Sequence, residues 1–180
     1  MNTFYAYHVV TEHPMELGQH IVFDESNRSG VYRRVMSKLE IVEDIYAHPE
    51  KYEEVELEYP VMVALRELAL EEVRQNKFPH LPSRMGCLYV SEHQEEAERW
   101  AEYFIRLGRP TYSIVKFKVT GSKFIGDATK CFDGTIHKQE NLEMAEKYWV
   151  NGPNPEGEPP INEILVSGDL EVVEIVRTYQ

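Results

Sequence analysis

His8, Arg84, the aromatic pair Tyr89 and Trp100, and Glu163 are the side chains whose types and settings could do chemistry. His8 stands late in the β-branched and aromatic stretch FYAYHVV. An imidazole there can meet a ligand where the strand opens onto a loop; a partly buried structural histidine is the plainer alternative. Arg84 follows Ser83 on a loop stiffened by Pro79 and Pro82. A guanidinium on a rigid loop suits phosphate or carboxylate binding, and a surface arginine is the equal alternative. Tyr89 lies on a strand and Trp100 on the helix after it, so the two could sandwich a flat ring. Taken alone, Trp100 more plainly belongs to a core face with Ala97 and Phe104. Glu163 opens an apolar strand, and alternation puts it on one face with Leu165 and Ser167. A carboxylate there can stabilise developing positive charge; an edge-strand glutamate facing solvent is the alternative. The spacing of His8, His13 and His20 fits no common zinc or iron pattern, so no metal is expected.

These residues must be positioned by a mixed set of elements. Residues 4–10 predict an opening strand and 20–24 a short second one. Residues 31–46 carry a helical pattern that breaks at Pro49. Pro60 suits the first position of a helix whose apolar stripe is Leu65, Leu68, Ala69 and Val73. Residues 86–90 predict a strand, and Ser91-x-x-Gln94 has the spacing of a capping box for the helix bearing Ala97, Trp100, Ala101 and Phe104. Residues 111–119 alternate as a strand, 123–126 suit another, and 139–149 look helical. Residues 151–160, NGPNPEGEPP, form a long loop of the kind that is often functional or mobile. Strands at 161–167 and 170–178 then meet at a Gly168-Asp169 hairpin or corner. The order is not the βαβα alternation of a doubly wound fold, and no GxGxxG or GxxxxGK[ST] loop is present.

The 180 residues fit one domain, 1–180, with one sizeable core. The net charge is −12. Residues 40–58 hold eight acids and one base, or −7 of it, and read as a solvated helical face or loop. An acidic surface disfavours nucleic acid as a partner. No apolar run is long enough to span a bilayer, and the N-terminus has no basic region ahead of an apolar one. Two distant cysteines, Cys87 and Cys131, fit a reducing compartment, so a cytoplasmic location is expected.

Three blocks, in order, resemble the ADP-ribosyltransferase superfamily, most closely a bacterial domain family of unknown function within it. YAYHVVTEHPMELG is similar to its opening strand–His–x–x–Thr–loop–Gly. GCLYVSEHQEEAERWAEYF is similar to its aromatic strand and following helix, with either Leu88 or Tyr89 at the aromatic position. INEILVSGDLEVVEIV is similar to its catalytic-glutamate strand, turn and last strand. The resemblance implies an α+β fold with a split, twisted β-sandwich core and flanking helices. It implies NAD+ as substrate, with His8 on a ribose, Tyr89 on the nicotinamide, and Trp100 in place of a second tyrosine. Thr11, Arg84 and Ser91 would complete the nucleotide-binding set. Glu163 would hydrogen-bond the nicotinamide ribose 2′-hydroxyl while the nicotinamide–ribose bond breaks.

Ile161 stands where arginine-modifying members carry a second carboxylate, so the implied catalyst is a lone glutamate. The activity implied is ADP-ribosyl transfer or NAD+ hydrolysis, with the acceptor left open. The alternative is a non-catalytic module that keeps the fold and binds a nucleotide or a protein.

Overall fold

A computed structural model describes residues 2–179. It is a mixed α/β structure with five strands in one antiparallel sheet and five α-helices among the described residues. The chain divides into two compact units, Met1–Asn27 with Cys87–Phe124 and Glu163–Gln180, and Arg28–Gly86 with Ile125–Asn162. Each is assembled from separated stretches, a division that a one-domain reading of the sequence does not announce.

The first unit holds the sheet residues that matter most here. Strand β1 is Asn2–Val10, β2 His20–Val22, β3 Leu88–Val90, β4 Ser113–Asp127 and β5 Asn162–Thr178. β1 pairs with β4, which sets His8 opposite Val115. β4 lies next to β5, and β5 also pairs with β2 and β3. Just past β3, Ser91 exchanges backbone bonds of 2.8 and 2.9 Å with Tyr7 of β1. Pairing therefore runs from β1 through β4, β5 and β3 back to β1. Inside lie Ala6, Val10, Val115, Phe117, Val119, Ile164 and Val166, with Leu88 and Val90 against them. The strands alternate because one face of each must leave water. On the other face of β1, Val9 packs with Ala97, Ala101 and Ile114, beneath the helix Gln94–Arg106.

Two expectations about strands are corrected. Residues 111–119 and 123–126 belong to one strand, β4, which continues through Gly121. Gly168-Asp169 is no hairpin: β5 runs on unbroken, with Gly168 at φ 124°. The reason is a close approach of the two strands. A Cβ on Gly121 would stand 2.0 Å from the Ser167 carbonyl oxygen, and one on Gly168 would stand 2.4 Å from the Thr120 oxygen. The glycines let two long strands touch; they do not reverse the chain.

The second unit is helical. Helices α1 Gly30–Met36 and α2 Leu39–Ala47 replace the single stretch expected over 31–46. The break falls at Ser37, whose hydroxyl donates to the Arg34 carbonyl at 2.7 Å. α3, Tyr59–Lys77, has its proline in the first turn as expected. Leu65, Ala69 and Val73 are buried, and Leu68 is half-buried against the same core as Val35, Val42, Ile45, Val61 and Met85. The helix Gln94–Arg106 of the first unit is α4, and α5 is Lys138–Val150. α5 packs on α3, with the Trp149 indole donating to the Leu70 carbonyl at 2.8 Å. Gly134, just before α5, sits against α3, where a Cβ would come within 2.4 Å of Leu65 Cβ.

The expected capping box is also corrected. His93 is the N-cap of α4 and makes no side-chain cap bond, while the Ser91 backbone is engaged with Tyr7. The acidic stretch is α2, a 3₁₀ turn Pro49–Lys51 and the loop to α3, with most of its acids exposed. The loop over 151–160 is strapped. Buried Asp127 accepts bonds from Thr129 N, Asn154 Nδ2 and Ile161 N at 3.0 to 3.1 Å. Burial alone would raise its pKa, but these bonds outweigh burial and lower it to about 2.

Candidate functional site

β1, β3 and the head of β5 bring three distant stretches of chain together. His8 Nδ1 lies 2.7 Å from the Tyr89 carbonyl oxygen. A carbonyl only accepts, so Nδ1 carries the hydrogen. The neutral ring then presents Nε2 as an acceptor. Burial lowers the His8 pKa; the bond to Tyr89 works against that, and Arg109 adds to the lowering. The ring is 6.0 Å from Phe117, centroid to centroid. Because β1 alternates, His8 shares a face with Ala6 and Val10, the face of the apolar core.

Tyr89 pairs with Leu165, and its neighbours Leu88 and Val90 pack inward. Its ring therefore stands on the face away from that core, 38% exposed. Glu163 lies two residues from Leu165 and shares that face, since Ile164 and Val166 point into the core. Tyr89 and Glu163 thus form a diagonal cross-strand pair, with backbones about 7–8 Å apart and side chains within mutual reach. His8 lies on the opposite face. Two strand spacings put its backbone roughly 10 Å from that of Glu163. The structure brings all three residues to one end of the sheet, but it places Tyr89 and Glu163 together and His8 apart.

Each remaining expected residue has its own setting. Thr11 follows the last residue of β1 and is half-buried. Ser91 is buried, its backbone closing the β1 bridge. Trp100 is not in the core: it is 42% exposed, meets Tyr103 edge-to-face at 5.9 Å and lies tilted against Phe104 at 5.8 Å, centroid to centroid. Ala97 and Ala101 alone reach zero exposure on α4, because small residues let the helix approach Val9.

Arg84 lies in the second unit and is buried, so it is no surface arginine. Its Nε and Nη2 donate to both oxygens of Glu67 at 2.9 and 3.2 Å, and Nη1 donates to Tyr148 Oη at 2.7 Å. Its guanidinium also lies 5.0 Å over the Tyr148 ring. Glu67 was open to sequence reasoning: it interrupts the buried side of α3 next to Leu68 and Leu70, where a carboxylate needs a cation. Phe117, the ring beside His8, carried no such signal, since its place depends on strand pairing.

The family model described as "Protein of unknown function (DUF2441)" matches residues 6–178. The chain belongs to the DUF2441 family. The match includes His8, Tyr89 and Glu163, so the arrangement lies within the family domain. No curated protein matches the chain. Among the described residues no helix is long and apolar enough to cross a membrane, and no three His, Cys, Asp or Glu side chains gather as a metal site.

Proposed function

We propose that this chain takes NAD+ as substrate and breaks its nicotinamide–ribose bond, with Glu163 as a lone catalytic carboxylate. The observation that carries the reading is the diagonal pair of Tyr89 and Glu163 on one face of β3 and β5. A half-exposed ring offers a flat surface for nicotinamide, and the carboxylate beside it can accept a hydrogen bond from the ribose 2′-hydroxyl. As the C1′–N bond breaks, its electron pair stays on the nicotinamide nitrogen and positive charge builds on the ribose. A fixed carboxylate next to that charge lowers the barrier more than it favours the ground state. Water adding to C1′ and releasing a proton gives ADP-ribose; a nucleophilic acceptor in its place gives transfer. With Ile161 two residues before Glu163, hydrolysis or transfer to an acceptor other than arginine is the preferred version. The sheet closed around one apolar core supports an ADP-ribosyltransferase-like split sandwich as the finer description of the fold, and a bacterial, cytoplasmic protein belongs to the same reading.

The test is nicotinamide release from NAD+, followed chromatographically with water alone and with protein or nucleic-acid acceptors. Wild type turns over, and Glu163→Gln loses about 100-fold or more in rate while melting at the same temperature. A folded wild type with no turnover under any of these conditions overturns the reading.

One observation favours a second reading. His8 points to the core face beside Phe117, whereas Glu163 points the other way. A module that binds a nucleotide or a protein without chemistry fits that split. Calorimetry separates the two: saturable NAD+ binding with no nicotinamide released favours the module.

A further inference from the structure

We propose that α4, in the first unit, pairs with the α4 of a second copy of this chain, antiparallel and about a two-fold axis. The helix makes its own core contacts through Ala97, Ala101 and Phe104, packed with Val9 and Ile114. A second apolar row is left uncovered. Trp100, Tyr103 and Leu107 fall at i, i+3 and i+7, the last at the C-cap, and are 42%, 44% and 63% exposed. Trp and Tyr are among the side chains most enriched where proteins meet.

Charge decides what covers this row. Beside it runs a second row, Glu95, Arg99, Glu102 and Arg106, at i, i+4, i+7 and i+11, with all four exposed. That spacing keeps them on one line along the helix. Their signs run minus, plus, minus, plus. Taken from the other end the order is plus, minus, plus, minus. An antiparallel copy therefore meets every charge with its opposite. Glu95 faces the partner's Arg106 and Arg99 faces the partner's Glu102, and the two-fold axis repeats both pairs. A parallel copy in register sets like against like. None of the four makes an ion pair among the described residues, although neighbours along the helix are within reach. The same two-fold operation lays apolar row on apolar row, with Trp100 against the partner's Trp100 and Tyr103. The surface is thus its own complement, which is what a second copy requires. The 13 residues of α4 span about 20 Å. A contact of that length covers less than the roughly 800 Å² per partner of a standard interface, so the pair is a weak, concentration-dependent dimer.

Sedimentation velocity of the full chain, from low to several hundred micromolar, tests the pair. Wild type shifts from monomer toward dimer across that range, and Trp100→Glu weakens association tenfold or more. Two charge variants give the sharper readout. Glu95→Arg with Glu102→Arg makes the charged row wholly positive, and Arg99→Glu with Arg106→Glu makes it wholly negative. Each alone stays monomeric, and an equimolar mixture of the two dimerises again. Circular dichroism checks that every chain is folded, and no step involves NAD+, so the outcome is independent of the proposed activity. A wild type that stays monomeric at the highest concentration overturns the inference and leaves the row to a different protein. It is equally overturned by a charge variant that self-associates as wild type does, or by a mixture that stays monomeric.

Discussion

Arg84 shows how a side chain chosen for its chemistry can be committed to the fold. A guanidinium on a proline-stiffened loop invites an external anion, but here an internal one, Glu67, already meets it. Arg66 also reaches Glu67 at 3.1 Å, so two cations share a nearly buried carboxylate. Arg84→Met leaves Glu67 with Arg66 alone and removes the Nη1 bond to the Tyr148 hydroxyl. Breaking buried pairs of this kind costs about 3–5 kcal/mol, and the remaining Arg66 puts the expected loss near the lower end, read from urea unfolding midpoints. Converting Glu67 to Leu in the same chain recovers much of that loss, because no uncompensated charge is then left. His8 was legible as a half-buried histidine, and its type and strand position were sufficient for that. The bond that fixes its tautomer was not legible, because the acceptor is the backbone of Tyr89, 81 positions away.

At the scale of elements, periodicity located the helices and most of the strands, since amphipathic burial writes itself into spacing. Gly168 exposes the limit of that method. Its conformational freedom is needed, but a glycine followed by aspartate looks the same whether the chain turns back or two strands collide. Only the partner, Gly121, decides, and strand pairing is a long-range fact. Alanine at Gly121 forces a Cβ into the Ser167 backbone, and no flexible side chain can give way. Gly121→Ala is therefore expected to cost at least about 2 kcal/mol, in the range of overpacked cores, and circular dichroism on heating measures it. Alanine at Gly152, where a Cβ meets nothing within 4 Å, is the matched control.

Across the whole molecule, the net charge of −12 argued against generic nucleic-acid binding, yet it concealed a basic stretch, residues 28–39, which hold Arg28, Arg33, Arg34 and Lys38 and no acid, because a sum hides its distribution. The long loop before β5 looked free from its composition of Pro, Gly and Asn. Asp127 instead gathers Thr129, Asn154 and Ile161, and a contact between residues 34 apart leaves no local signature. That carboxyl also sets part of the acid response. Its folded pKa of about 2 lies below the ordinary 3.8, so the native state holds its proton less readily than the unfolded chain does. Its contribution is complete above pH 3.8 and is lost as pH falls toward 2. Asp127→Ala strands the donors it serves and costs about 1–3 kcal/mol at neutral pH. The variant's deficit relative to wild type then narrows as both are acidified through that window, in denaturant titrations at stepped pH. The central claim is that Glu163 is the working carboxylate, with Tyr89 beside it on the same face. Single-turnover release of nicotinamide from NAD+ by wild type, Glu163→Gln and Tyr89→Ala tests it most directly. The account predicts turnover by wild type, a loss of about 100-fold or more in Glu163→Gln and weakened NAD+ binding in Tyr89→Ala. Equal rates in wild type and Glu163→Gln, with both chains folded, would contradict it.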